Sequence, residues 1–266
     1  MDGNNLQMKH LLPILLFVAV IVSGDELLKN GALEKGENGQ PSGWGKLDKI
    51  TAKWSSDGHP GKCIRLDTAV AQKDKKNFAE TPENYTPSKS GQYDVVGAHE
   101  GAWAYAPPYK VAPEDSSFIL SCDCKGPAVS TELFYPQIFI RGFQKVSEAD
   151  AGKNSSWFHE YYGNGVFYSE VFGSDAQRRA TRKGDYLMVY RHSLACRLPQ
   201  ANVWFHYEMG FTLPKNKKHR PERLLFKLYA YWPAGVYFFD NISLRPATPE
   251  EVREVNSRRL SIRNFQ

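Results

Sequence analysis

The chain has 266 residues, of which 41% are hydrophobic and 24% charged, a composition typical of a globular protein with one large or two small domains. Its aromatic content of 13% favours β structure. The formal net charge of +5 is mild, and the densest basic cluster, residues 215–220, lies between apolar runs, so we do not expect a nucleic-acid partner.

The N-terminus predicts a secretory signal peptide over residues 1–24. An apolar run covers residues 11–22, and Val22 and Gly24 suit the small-residue positions before a cleavage site. The run is short for a membrane span, and a retained N-terminal anchor is the alternative. We therefore expect a secreted, periplasmic or cell-envelope protein with no stable membrane span after signal cleavage.

The rest of the chain predicts β-strands in an antiparallel arrangement. Alternating apolar runs are separated by turns rich in Gly, Pro and Asn, and no helix-period segment connects them. In chain order the predicted strands cover residues 49–54, 62–67, 101–105, 118–124, 135–143, 165–172, 186–190, 203–213, 224–231 and 236–244. Strands without crossover helices indicate a single antiparallel β-sandwich over residues 25–246, decorated by long loops such as residues 68–97.

The last residues, 247–266, predict a short charged helix. Thr248 and Glu251 form a capping box, and Pro249 occupies the first helical position, so we expect a helix that ends near Arg259. We interpret it as a solvated tail. The alternative is that its valines dock lightly on the sandwich.

Four cysteines in an exported chain allow two disulfides. Cys122 and Cys124 share one face of a predicted strand with the apolar residues before them, so we interpret both as small core residues. A bridge between Cys63 and Cys196 stays open.

The closing strand, VYFFDNISL, contains an aspartate among apolar residues. Val236, Phe238, Ile242 and Leu244 fall at spacing two on a predicted core face, and Asp240 falls on that face as well. A buried carboxylate needs backbone N–H groups, a base or a cation as a partner. The alternative is that Asp240 faces water or caps a turn.

The opening segment LLKNGALEKGENGQPSGW and the closing segment GVYFFDNISL together carry a family resemblance. The pairing resembles jelly-roll carbohydrate-binding modules of the cellulose- and xylan-binding type, in the galactose-binding-like superfamily. Those modules open with Asn-Gly-x-x-Glu-x-Gly before a tryptophan and close with Asp-Asp/Asn-hydrophobic-x-Leu. The resemblance spans residues 27–244, is recognisable at the two ends, and implies an all-β jelly roll.

The resemblance also implies a structural calcium ion that joins the first strand to the last. Glu34 and Asp240 would supply side-chain oxygens, and backbone carbonyls near Asn30 and Lys35 would complete the shell. The chain departs from the pattern at Asn241, which lowers the negative charge of the implied site. In the alternative, Glu34 and Asp240 cap backbone groups without a metal.

Two predicted strands place aromatic and polar side chains on the face opposite the core, which is the mixture that sugar rings and hydroxyls require. We predict that these residues form a concave ligand surface, the alternative being that they pack beneath a long loop. The predicted ligand-binding residues are Tyr135, Gln137, Arg141, Lys227, Tyr229, Tyr231 and Trp103.

The sequence thus predicts an exported, non-catalytic, carbohydrate-binding module-like protein whose partner is a polysaccharide or glycan. A structural or protein-interaction module of the cell envelope, with an envelope protein as partner, is one alternative. A β-sandwich glycoside hydrolase or polysaccharide lyase is the other, since two carboxylates or a tyrosine and a base leave no sequence signature. His159 and Glu160 are adjacent and point to opposite faces of a strand, and nucleophile-elbow and phosphate-loop motifs are missing, so we do not expect an enzyme.

Overall fold

The computed structural model describes residues 26–74, 94–129, 135–145, 147–148, 159–163, 166–170 and 186–263. The predicted signal peptide and the middle of the loop over residues 68–97 lie outside these ranges. Within them, the strands are β1 (Gly36–Glu37), β2 (Gln40–Pro41), β3 (Ala52–Gly58), β4 (Gly61–Asp67), β5 (Ala102–Tyr105), β6 (Tyr109–Lys110), β7 (Ser117–Lys125), β8 (Gln137–Lys145), β9 (His159–Gly163), β10 (Val166–Glu170), β11 (Tyr186–Ala195), β12 (Phe205–Thr212), β13 (Arg223–Ala230) and β14 (Val236–Pro246). One α-helix, α1 (Pro249–Arg263), follows the last strand, and short 3-10 turns cover Gln72–Asp74 and Val96–Ala98.

The strands build two antiparallel sheets that pack face to face. Sheet I has the order β12-β7-β14-β4-β3, and sheet II has the order β11-β8-β13-β5 with β6 paired to β13. The small hairpins β1-β2 and β9-β10 lie outside these two sheets. The predicted fold class, an all-β antiparallel sandwich of jelly-roll type with one short helix, is confirmed.

The core lies between the inner faces of the sheets, as the alternation of the strands predicts. On β8 and β13 the inward residues are completely buried, among them Ile138, Ile140 and Phe226, and they face Leu120 and Phe239 of sheet I in one continuous cluster. Each fully buried side chain of this size contributes about 1.5–3 kcal/mol to the free energy of unfolding.

The closing strand β14 corrects one sequence expectation. Val236 and Phe238 are half-buried on the outer face instead of the core face. The reason is a register shift between Asp240 and Ser243, where Asn241 has a φ of 47° and the alternation moves by one residue. The core-facing residues of β14 are Tyr237, Phe239, Ile242 and Leu244.

Helix α1 begins at the predicted capping box. The Thr248 hydroxyl accepts a hydrogen bond from the Glu251 N–H at 3.2 Å, and the Glu251 carboxylate accepts one from the Thr248 N–H at 2.7 Å. The helix ends at Arg263 instead of near Arg259.

The helix is docked on the sandwich, so the interpretation as a solvated tail is wrong. Val252 and Val255 are 9% and 3% exposed. The Asn256 amide bonds to both backbone groups of Gly210 on β12, at 3.1 Å from the N–H and 3.0 Å from the carbonyl. Within the part of the chain that the structure describes, no helix has the length and apolar character to cross a membrane.

The four cysteines are buried free thiols. Cys122 and Cys124 face the core, as predicted. Cys63 and Cys196 are not joined: the sulfur that lies 3.7 Å from Cys196 Sγ belongs to Cys122. Cys63 lies on β4, where burial, together with the nearby carboxylates of Asp240 and Asp57, raises the pKa of its thiol to about 12.

Candidate functional site

The outer face of sheet II brings most of the predicted ligand residues together. Trp103 on β5, Tyr229 on β13 and Gln137 on β8 are direct neighbours in register and form one row across three strands. The next row consists of Tyr105, Lys227 and Phe139. Side chains directly opposite on neighbouring strands contact each other, so these rows form a continuous surface of rings and polar groups.

Lys227 lies at the centre of this surface, surrounded by aromatic rings. Its Nζ is 4.4 Å from the ring centroid of Trp103, 5.5 Å from that of Tyr229 and 5.7 Å from that of Tyr105. The rings offer the negative faces of their π-systems to the ammonium group, which stabilises a charge that is only 8% exposed. Lys227 thus contacts the rings of three aromatic residues on two neighbouring strands.

The two predicted tyrosines stack, with ring centroids 6.3 Å apart and planes at 15°. Their hydroxyls donate to the backbone carbonyls of residues just before β5: Tyr229 to Glu100 at 3.1 Å and Tyr231 to Ala98 at 3.2 Å. Burial raises the pKa of Tyr229 to about 12, so its hydroxyl stays protonated. Both hydroxyls are thus engaged by backbone carbonyls.

Arg141 extends the face with positive charge. Its guanidinium lies 5.3 Å from the ring of Phe139, and Arg191 on β11 is directly opposite Arg141 in register. Burial, together with the charge of Arg191, lowers the pKa of Arg141 from its ordinary value. Arg191 was not predicted as part of this face because the predicted strand stopped at residue 190. β11 continues to Ala195, after a register shift between Met188 and Tyr190 that changes which residues face outward.

The face differs from an open groove in two respects. Tyr135 precedes β8 and packs against the core cluster, with the guanidinium of Arg197 at 5.1 Å from its ring. Near the middle of the face, Leu225 is 1% exposed, and Lys227 is also buried. Trp103 and Gln137 are half-buried. The surface is thus partly covered at its centre and accessible along the row that contains Trp103.

Asp240, the predicted metal ligand on β14, is completely buried. Its Oδ2 accepts a hydrogen bond from the His59 N–H at 2.5 Å, and its Oδ1 accepts one from the Asn241 N–H at 2.7 Å. Burial raises the pKa of Asp240, an effect that these two N–H groups oppose and the nearby carboxylates of Asp123 and Glu34 reinforce. The aspartate therefore anchors the β3–β4 hairpin.

Glu34 reaches the same hairpin from the other side. Its Oε1 accepts a hydrogen bond from the Lys62 N–H at 2.9 Å. Its carboxylate also lies directly over Gly61, where an added Cβ would come within 2.1 Å of Oε1. Glu34 and Asp240 thus accept hydrogen bonds from backbone N–H groups of the same hairpin, those of Lys62 and His59.

The backbone carbonyls assigned to the metal are already engaged in hydrogen bonds. The Asn30 carbonyl accepts from the Leu33 N–H and from the Trp44 indole, both at 3.1 Å. The Lys35 carbonyl accepts from the Asn30 amide at 2.8 Å and from the Ser42 N–H at 2.9 Å. Among the described residues, no group of three or more His, Cys, Asp or Glu is arranged to hold a metal ion. The two carboxylates suit a hard cation, whereas these carbonyls stabilise the opening loop instead.

Sequence reasoning missed how the first segment is attached to the last strand. The Leu27 N–H donates to the Leu244 carbonyl at 2.8 Å, and the Ile242 N–H donates to the Gly31 carbonyl at 3.0 Å. Glu26 Oε1 accepts from the Leu244 N–H at 2.9 Å. Hydrogen bonds thus join the opening segment directly to β14, and no residue pattern signals this pairing.

A second polar and aromatic cluster, also missed, lies on the outer face of sheet I. The His59 ring stacks on Trp204 with centroids 5.6 Å apart, and Asp123 Oδ1 lies 2.8 Å from His206 Nδ1. Asp123 Oδ2 lies 3.7 Å from His59 Nδ1. These contacts fix the β3–β4 hairpin over Asp240 on the outer face of sheet I.

His159 and Glu160 lie on β9, and their side chains are outside the described part of the structure.

Carbohydrate-binding modules are among the solved structures similar to this chain. The Family 16 Carbohydrate Binding Module-2 shares 14% identity over 82% of this chain and 98% of its own, with a TM-score of 0.39. A family 61 module in complex with β-1,4-galactotriose shares 12% identity over 84% of this chain and 99% of its own, with a TM-score of 0.38. The CBM22-1 xylan-binding domain of Paenibacillus barcinonensis Xyn10C shares 11% identity over 84% of this chain and 95% of its own, with a TM-score of 0.36. No protein-family model and no curated protein matches the sequence.

Proposed function

We propose that the protein is an exported, non-catalytic glycan-binding module whose ligand lies on the outer face of sheet II. The observation that supports this most is the row of Trp103, Tyr229 and Gln137 across three adjacent strands. A pyranose ring presents an apolar face that stacks on aromatic rings, and its hydroxyls bond to amide and guanidinium groups. The row supplies both kinds of contact at the accessible part of the face.

The test is binding to a glycan array and pull-down on insoluble polysaccharides. We expect Trp103→Ala and Arg141→Ala to weaken binding at least about tenfold, which corresponds to about 1.4 kcal/mol. Phe238→Ala is the matched control, because Phe238 is a half-buried aromatic residue on the outer face of sheet I. Circular dichroism checks that each variant is folded. Equal retention of all three variants on every polysaccharide that the wild type binds would contradict the proposal.

The covered centre of the face favours one alternative, a structural or protein-interaction module of the cell envelope. Leu225 and Lys227 are buried although they point away from the core, so part of the face serves packing. A folded protein that binds no glycan on the array would support this alternative. Release of reducing ends from a polysaccharide by the purified protein would instead support a hydrolase or lyase.

We further propose that calcium binds to the carboxylates of Glu34 and Asp240. A cation there would stabilise the charged form of Asp240, whose pKa is raised by burial and, to a smaller extent, by the nearby carboxylates of Asp123 and Glu34. At a calcium concentration about 100 times Kd, the free energy of unfolding would rise by about 2.7 kcal/mol. We expect the melting temperature to rise in calcium and fall in chelator, and Glu34→Gln to remove the difference while Glu37→Gln, an exposed residue of β1, keeps it. Identical melting curves of the wild type in calcium and in chelator would rule out the ion.

Export is the remaining part of the proposal. We expect N-terminal sequencing of the protein recovered outside the cytoplasm to begin after residue 24. Recovery of an uncleaved chain in the membrane fraction would support the retained anchor instead.

A further inference from the structure

Two buried thiols meet between the two sheets of the sandwich. Cys122 lies on β7 of sheet I, and Cys196 directly follows β11 at the edge of sheet II. Their sulfur atoms are 3.7 Å apart, and both side chains are fully buried. Since a disulfide requires sulfur atoms about 2 Å apart, the two atoms would have to approach each other by about 1.7 Å to form a bond.

We propose that Cys122 and Cys196 form a disulfide that covalently joins sheet I to sheet II when the chain folds in the presence of a small-molecule disulfide oxidant. The bond would connect the central part of β7 to the residue after an edge strand, where the Cys196 N–H already pairs with the Pro136 carbonyl at 2.8 Å. The crosslink is independent of the glycan proposal, because neither cysteine lies on the outer face of sheet II.

The chemistry is thiol–disulfide exchange in two steps. The Cys196 thiolate attacks oxidised glutathione, forms a mixed disulfide and releases one glutathione thiolate. The Cys122 thiolate then attacks the Cys196 sulfur of the mixed disulfide and releases the second glutathione. In total the two cysteines lose two electrons and two protons, and one molecule of oxidised glutathione is reduced to two thiols.

The surroundings of the pair determine when the bond forms. The hydrogen bond to Cys196 and burial both raise the pKa of the Cys122 thiol, and burial raises that of Cys124. Since the thiolate is the reactive form, the native cluster reacts slowly with an external oxidant. We therefore expect the crosslink to form during folding, before the core closes, and to be protected from reductants afterwards.

The other cysteines provide the comparisons. Cys124 faces the same core two residues further along β7 and also contacts Cys196, so it is the competing partner. Cys63 is equally buried but lies on β4, near Asp57 and Asp240 instead of the other thiols. Substitution of Cys63 therefore removes a buried thiol without removing the proposed bond.

The test is to refold the full chain with reduced and oxidised glutathione, block the remaining thiols and map the products by mass spectrometry. Cleavage before aspartate cuts between Cys122 and Asp123, which separates Cys122 from Cys124. We expect a peptide ending at Cys122 joined to the peptide that contains Cys196. The oxidised protein should melt at a higher temperature than the same protein refolded with a reductant.

Variants make the outcome decisive. Cys63→Ala and Cys124→Ala should keep the crosslink and the difference in melting temperature between oxidised and reduced protein, and Cys122→Ala should lose both. Four alkylated cysteines after oxidative refolding, or a crosslink that joins Cys196 to Cys124 or Cys63, would overturn the proposal. If Cys122→Ala does not fold, the peptide map of the wild type still decides.

Discussion

The attachment of the first segment to the last strand leads to a sharp prediction at Gly31. This residue accepts the backbone hydrogen bond from Ile242 at 3.0 Å, and a Cβ added to it would lie 1.8 Å from the Ile242 carbonyl oxygen. The colliding atom is backbone, so it cannot rotate away as a flexible side chain would. Gly31→Ala must therefore push the opening segment away from β14.

The expected cost follows from these contacts. Introducing an atom into a packed backbone contact costs about 1–3 kcal/mol, and weakening the hydrogen bond between Ile242 and Gly31 costs about 0.5–1.5 kcal/mol. The sum is a loss of about 1.5–4.5 kcal/mol in the free energy of unfolding. At about 2–4 °C per kcal/mol for a domain of this size, the melting temperature falls by about 3–18 °C.

Urea denaturation followed by circular dichroism measures this loss, and Gly39→Ala is the matched control. Gly39 lies in the same opening loop, has a φ of 75° and has no atom within 4 Å of an added Cβ. Its substitution costs only the left-handed backbone strain, about 1–2 kcal/mol. The reasoning is refuted if Gly31→Ala is as stable as the wild type, or more stable than Gly39→Ala.

Two further predictions concern β12. The Tyr207 hydroxyl is buried with no hydrogen-bond partner among the described residues. Tyr207→Phe should therefore raise the free energy of unfolding by about 1 kcal/mol, as measured by urea denaturation. A loss of stability would show that the hydroxyl has a partner. Asn256→Ala removes both bonds to Gly210 and should cost about 1–2 kcal/mol in thermal melts. Arg258→Ala removes a surface ion pair to Glu208, 3.2 Å long, and should cost less than about 0.5 kcal/mol. Equal losses for the two helix variants would contradict the stabilising role of the Asn256 amide.

Strand alternation is local information, so the sequence could predict which side chains of β8 and β13 point to the outer face of sheet II. Residues an even number of positions apart on a strand point to the same face of the sheet. This spacing relates Gln137 to Arg141 on one strand and Lys227 to Tyr229 on the other. Antiparallel pairing of the two strands then places them in adjacent rows. The burial of Lys227 could not be predicted in this way, since it depends on what packs over the sheet.

Three other features depended on contacts between distant residues. The left-handed conformation of Asn241 shifts the alternation within β14, and no apolar pattern marks a bulge in advance. Val252 and Val255 are too few to signal a docked helix, although both are buried and Val252 lies against Gly210 of β12. The meeting of Cys122 and Cys196 depends on how two sheets stack, which strand periodicity does not specify.

The position of α1 has a consequence for solubility. Because β12 is an edge strand, its outward backbone groups are a template on which a strand of another molecule can pair. The Asn256 amide occupies both backbone groups of Gly210 in the way that a neighbouring strand would, and Val252 closes over the same position. A chain that ends before residue 249 would therefore present a bare strand edge and tend to assemble into intermolecular sheets, even where its own sandwich still folds.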